Sequence, residues 1–223
     1  MTWTIPNILT MLRLLAAPGV AVMFLYFNRP WADWFALALF LGAAITDYFD
    51  GYLARLWKQE SKFGAMLDPI ADKAMVVIAL LVLTGYSGMN PWLILPSTMI
   101  LFREVFVSGL REFLGANARL LKVTKLAKWK TTAQMVAIAV LFLGTGLEYI
   151  HLRGYHTMDT TEYDLLLRRG PEDWNGLWLA ATGGWWAGMA GYLLIWIAAA
   201  LTLVTGLDYF AKALPHLKDE SAR

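Results

Sequence analysis

Apolar residues fall along this chain in long blocks rather than in alternating runs. An α-helix needs about 20 mostly apolar residues to cross a bilayer. Six blocks reach or approach that length: 8–27, 34–54, 66–86, 91–114, 131–147 and a last one within 177–210. The apolar–polar alternation of a membrane-spanning strand is absent. The pattern predicts an all-α integral membrane bundle of six transmembrane helices. The last block is too long for one upright span. Its Trp-rich start, through Gly183-Gly184-Trp185-Trp186, reads as interfacial and the rest as the span. Between the fifth and sixth blocks, 148–176 is polar and acidic, carrying Glu148, Asp159, Glu162, Asp164, Glu172 and Asp173. That stretch suits either a small extramembrane element or a loose loop. No internal repeat or second domain is visible, so 1–223 is expected to be a single membrane domain with a polar extracytoplasmic loop at about 148–176.

Composition strengthens this picture. Of the 223 residues, 58% are hydrophobic and only 16% charged, with a mean hydropathy of +0.50. Soluble domains carry about 25% charged residues, and disordered chains are poor in apolar residues. Both classes are excluded. Eleven Trp residues suit a protein anchored at two membrane–water interfaces. The net charge of +2 gives no reason to expect a nucleic-acid partner. Cysteine is absent, so disulfides, thiolate catalysis and zinc–thiolate sites are all excluded, and any metal must be held by oxygen or imidazole.

The basic residues set the orientation, because Lys and Arg collect on the cytoplasmic side. Arg55, Lys58, Lys62 and Lys73 surround the second connection. Arg111, Arg119, Lys122, Lys125, Lys128 and Lys130 surround the fourth, and Lys212, Lys218 and Arg223 end the chain. The other side receives Arg29, Arg153, Arg168 and Arg169. Both termini are therefore expected in the cytoplasm. The first twelve residues carry no basic side chain, so the first block is expected to remain as a helix rather than act as a cleaved signal.

The acidic residues carry the chemistry. Asp and Glu are rare in membrane spans and usually mark function there. Four Asp cluster at the predicted cytoplasmic ends of the second and third helices. Asp47 and Asp50 are spaced i, i+3, and Asp68 and Asp72 are spaced i, i+4, so each pair shares a helix face. The short polar connection predicts antiparallel neighbouring helices whose acidic faces converge. Four carboxylates in one apolar pocket must protonate or bind cations. All-oxygen ligands favour Mg²⁺ or Mn²⁺, and two such ions would bind the phosphate oxygens of a substrate. Gly51, Ala54 and Gly64, small residues on the same faces, would let a ligand approach the backbone.

Each residue also has a plainer reading. Asp68 before Pro69 looks like a helix cap, since Pro suits the first helical position. Gly and Ala in a span often serve only helix packing, and Arg55 suits a positive-inside anchor. The joint spacing outweighs these readings, because eight residues occupy a fixed frame from Asp47 to Asp72.

That frame, D-x2-D-G-x2-A-R-x8-G-x3-D-x3-D, resembles the motif of the CDP-alcohol phosphotransferases at every position. The resemblance implies six transmembrane helices, a homodimer, and two divalent metals held by Asp47, Asp50, Asp68 and Asp72. It implies transfer of a substituted phosphate from a CDP-linked donor to an alcohol, with release of CMP. Asp72 is then also the expected general base. Gly51, Ala54, Arg55 and Gly64 should border the cytidine and its diphosphate.

A second polar set addresses the acceptor. Arg103 and Arg111 are spaced i, i+8 on the fourth helix, with Glu104 and Glu112 beside them, and Lys128-Trp129-Lys130-Thr131 opens the fifth. Arg103 is mid-span, where an unpaired Arg is costly. Its anion is Glu104, a motif Asp, or a phosphate on the acceptor bound by Arg103, Arg111 and Lys130 together. Arg119, Lys122 and Lys125 read instead as charge facing anionic lipid. The segments from Arg103 to Glu112 and from Lys128 to Met135, and the start from Ile5 to Arg13, look like those of bacterial family members that use glycerol 3-phosphate. Asn7, Thr10 and Arg13 sit three apart on one face and would line the same cavity, with Asn7 and Thr10 on the donor side. These resemblances imply an enzyme of the inner (cytoplasmic) membrane, its site facing the cytoplasm. It would join CDP-diacylglycerol to sn-glycerol 3-phosphate among the membrane lipids, giving phosphatidylglycerol phosphate and CMP. Inositol phosphate, serine or a lipid remain alternative acceptors. A divalent-cation transporter remains the alternative of another class, although it would need neither Arg55 nor the second basic set.

Overall fold

The computed structural model describes residues 4–57, 61–115, 125–173 and 175–216; within these, the side chains of 48, 50–55, 125–128 and 216 are outside the description. Among the described residues there are seven α-helices and no strand: α1 (Ile5–Tyr26), α2 (Trp31–Leu56), α3 (Lys62–Tyr86), α4 (Pro91–Leu114), α5 (Lys125–Thr157), α6 (Thr160–Arg169) and α7 (Leu177–Ala213). Among the described residues α1, α4, α7 and the 129–157 part of α5 are long and apolar enough to cross a membrane. The chain is thus a multi-pass membrane protein.

Its surface agrees. Leu12, Leu15, Leu25, Leu41, Leu81, Phe102, Val105 and Phe113 are exposed. A water-soluble monomer rarely leaves apolar patches of that extent uncovered. Inside, Phe24, Phe40 and Phe142 form an aromatic centre, with ring centroids 5.9 Å apart for both Phe24–Phe142 and Phe40–Phe142. Ala17, Ala36, Ala79, Ala137 and Ala198 let the helices close around it.

The helices α5 and α7 form the most extensive pair, and α4 lies along α7. Small residues permit the α5–α7 approach. A Cβ on Gly144 would come within 3.2 Å of the Gly188 backbone nitrogen, and one on Gly184 within 3.1 Å of the Glu148 nitrogen. In lipid, where apolar burial gives little drive between helices, such close backbone packing is a main source of association. At 1.5 Å per residue, the 33 residues of α5 and the 37 of α7 reach about 50 and 55 Å. Both therefore outrun a hydrocarbon layer of about 30 Å.

The acidic 148–176 stretch is largely helical. Its first part continues α5, and α6 folds back so that Tyr163 and Leu166 pack on Leu177. Asp173 accepts hydrogen bonds from the Asn175 and Trp178 backbone nitrogens, both at 2.9 Å, at the start of α7. Burial alone would push its carboxyl up; the N–H groups of Trp178, Asn175 and Leu177 and the nearby Arg169 charge outweigh that and hold it below the usual range. At the same end, Asp33 is fully buried and takes two hydrogen bonds from Arg29, at 2.5 and 2.8 Å. Arg29 also donates to the Thr145 carbonyl at 2.9 Å and lies over the Tyr149 ring. The turn between α1 and α2 is thereby fastened to α5.

The acidic faces of α2 and α3 converge at Asp47 and Asp72, and among the described residues α1 packs extensively against both helices and carries Arg13 between them.

Candidate active site

Asn7, Thr10 and Arg13 are buried on one face of α1, and each reaches across to the neighbouring helices. Ser61 is the N-cap of α3: its Oγ accepts from the Gly64 nitrogen at 3.0 Å and donates to Asn7 Oδ1 at 2.7 Å. A Cβ on Gly64 would lie 2.8 Å from that same Asn7 oxygen, so a larger residue at position 64 would displace the Asn7 amide from Ser61. One turn further along, Thr10 Oγ1 donates to Asp68 Oδ1 at 2.8 Å. Asp68 is therefore not a cap. The helix starts at Lys62 behind its Ser61 cap, and Pro69 lies inside it.

Arg13 Nη1 donates to Asp47 Oδ1 of α2 and to Asp72 Oδ1 of α3, at 2.5 Å each. The Arg13 side chain is 2% exposed, whereas those of Asp47 and Asp72 are 50% and 53% exposed. The guanidinium thus forms the floor of a bay whose walls are half-open carboxylates.

The donor set is all oxygen, and two carboxylates from different helices already converge on one positive charge. Such residues fit a hard divalent ion. Among the described residues no three carboxylates or imidazoles close on one metal position. The side chain of Asp50 lies outside the described residues, as do those of Gly51, Ala54, Arg55, Lys125 and Lys128. Arg119, Lys122, Lys58, Lys218 and Arg223 also lie outside them.

Asp72 opens onto a cavity of about 280 Å³, shared with Lys73, Glu104, Arg111, Lys130 and Gln134. Lys130 is buried and paired with Glu104 Oε1. Arg111 donates from Nε to the Tyr209 hydroxyl at 3.0 Å, with its guanidinium over that ring. Of the three residues expected to take an acceptor phosphate, Arg111 and Lys130 line this cavity and Arg103 does not. Arg103 donates to Glu104 Oε1 at 3.0 Å, and its stem lies against α7, where a Cβ on Gly206 would be 2.9 Å from its Cγ. Lys73, which the sequence suggests only as a positive-inside charge, lines the cavity and bonds Ser108 Oγ. Its position next to Asp72 was the available signal. Gln134 lay in plain sight one turn after Lys130 on the same helix face.

A carboxylate bay that shares Asp72 with a basic pocket can bind a phosphate-bearing group on each side and work on a proton between them. Comparison with known proteins bears on which reaction that is. A CDP-alcohol phosphatidyltransferase family model matches residues 3–204. A CDP-diacylglycerol–glycerol-3-phosphate 3-phosphatidyltransferase of Cereibacter sphaeroides is 72% identical over 223 residues, covering 99% of this chain and 100% of that protein. Proteins of the same name from Rickettsia bellii and Escherichia coli are similar at 38% and 33% identity. The first match covers 92% of this chain and 93% of that protein, the second 99% and 100%.

Proposed function

The chain belongs to the CDP-alcohol phosphatidyltransferase family, and on that premise we propose that it joins CDP-diacylglycerol to sn-glycerol 3-phosphate, releasing phosphatidylglycerol phosphate and CMP. This is the first committed step towards phosphatidylglycerol and cardiolipin. The observation that carries the reading is the shared cavity, in which Asp72 of the acid bay faces Arg111, Lys130 and Lys73.

In this mechanism Asp47, Asp50, Asp68 and Asp72 would hold two divalent ions, Mg²⁺ or Mn²⁺, which would supply positive charge to the donor diphosphate. Asn7, Thr10, Gly51, Ala54, Arg55 and Gly64, with Asp50, border the nucleotide. Arg111 and Lys130 hold the acceptor phosphate by charge-assisted hydrogen bonds, and Arg103 acts from behind through Glu104. Asp72 takes the proton of the glycerol 1-hydroxyl. The freed oxygen bonds to the phosphorus that carries diacylglycerol, the bond from that phosphorus to CMP breaks, and CMP leaves with the electron pair.

The same reading makes 1–223 one domain of the inner membrane with six spans, both termini and the site in the cytoplasm, and a homodimeric assembly. The lengths of α2 and α3, 26 and 25 residues, are adequate for the two further spans. The test is CMP release from CDP-diacylglycerol by purified protein with each candidate alcohol. Glycerol 3-phosphate should support turnover that vanishes with a chelator and returns with Mg²⁺ or Mn²⁺. Preference for serine or inositol phosphate would overturn the acceptor, and no CMP with any alcohol would overturn the reaction class.

A further inference from the structure

We infer that Arg13 is the resident counter-cation of the acid bay: it holds Asp47 and Asp72 together when no divalent ion is bound, and its charge opposes the ion that enters. The inference rests on the reading of the bay as a divalent-ion site. Its own basis is geometric. One buried nitrogen lies 2.5 Å from a carboxylate oxygen on each of two helices, and α1, which carries it, packs extensively against both. Two half-exposed carboxylates facing one bay repel, and a cation within hydrogen-bond distance of both removes that repulsion. A guanidinium suits the place because it stays charged and presents several donors in a fixed plane. The arrangement keeps α1, α2 and α3 assembled before any ion arrives. It also lowers the negative charge the ion meets, so that the ion is held less tightly than bare carboxylates would hold it.

The opposing charge has a readable sign. A residue that merely supports the fold weakens ion binding when it is replaced. A counter-cation strengthens it. Hydrogen bonds to charged groups are individually strong enough that removing Arg13 should tighten Mn²⁺ binding by roughly 10-fold or more. The experiment is Mn²⁺ titration followed by electron paramagnetic resonance, with thermal melts in chelator and in saturating Mn²⁺, on detergent-purified protein. Arg13→Gln should bind Mn²⁺ more tightly than the wild type, melt lower in chelator, and gain more from added Mn²⁺. Arg13→Lys, which keeps the charge, should bind Mn²⁺ like the wild type. Equal or weaker Mn²⁺ binding by Arg13→Gln overturns the inference. Where that variant does not fold, Arg13→Gln with Asp47→Asn is compared with Asp47→Asn alone, and the double variant must bind Mn²⁺ more tightly. If the wild type binds no Mn²⁺, the metal reading itself fails and this inference falls with it. If the wild type binds and Asp47→Asn weakens binding, only the behaviour of Arg13 is at issue.

Discussion

Asp72 stands where two chemistries meet. One of its oxygens takes the Arg13 proton donor, and its side chain also borders the cavity of Arg111 and Lys130. Asp72→Asn keeps the shape and the hydrogen-bonding capacity but removes the basicity. Turnover should fall by about 10²–10⁴-fold, the usual value of a positioned general base, with a much smaller effect on CDP-diacylglycerol binding measured by equilibrium titration. Near-normal turnover at saturating metal would remove Asp72 from that role. At this scale the sequence was informative because the motif fixes residue types at fixed intervals: a Cβ at Gly64 would come within 2.8 Å of Asn7 Oδ1 and push that amide away from Ser61. It was misleading where local rules compete. Asp68-Pro69 has the look of a helix start, yet the Ser61 cap begins α3 two turns earlier. Arg103 and Arg111 share a spacing, yet Gly206 of α7 makes room for the stem of one and Tyr209 receives the other. Such choices depend on a helix about a hundred residues away, which no local pattern contains.

The helices show a different limit. Blocks of apolar residues located every long element, and 91–114 coincides with α4. The ends of α5 and α7 escaped because they run past the apolar layer, where polar residues are as compatible with helix as with loop. Packing order escaped as well. In lipid a helix is apolar on its buried and its exposed faces alike, so periodicity does not say which neighbour it meets; that Arg13 of α1 bonds carboxylates of both α2 and α3 is visible only in the assembled helices. A prediction belongs to the far end of these elements. Asp33 is fully buried and paired with Arg29, which also ties the α1–α2 turn to α5. Asp33→Ala leaves a cation without its partner, which typically costs roughly 3–5 kcal/mol. The melting temperature in detergent should drop markedly, while the specific activity of the protein that remains folded stays close to wild type because the acid bay lies at the opposite end. Lost activity without lost stability would place Asp33 in the site after all.

Over the whole molecule, the family membership and the all-α membrane architecture were legible from the chain alone, since one motif and six apolar blocks carry them. Sidedness is a property of loop charges and not of the helix bundle, so it rests on the distribution of Lys and Arg. What the assembled molecule adds is continuity: Asp72 of α3, bonded to Arg13 in the acid bay, borders one space with Lys73 and with the basic residues of α4 and α5. That continuity is the central claim, and steady-state kinetics on Arg111→Ala and Lys130→Ala test it most directly. Hydrogen bonds to charged groups are worth roughly 1.5–3 kcal/mol each, so each substitution should raise the KM for glycerol 3-phosphate about 10–150-fold. The KM for CDP-diacylglycerol should stay nearly constant, and Arg168→Ala, at an exposed position of α6, should change neither. If both KM values rise together, or only that for CDP-diacylglycerol rises, the basic wall of the cavity is not the acceptor site and the account is contradicted.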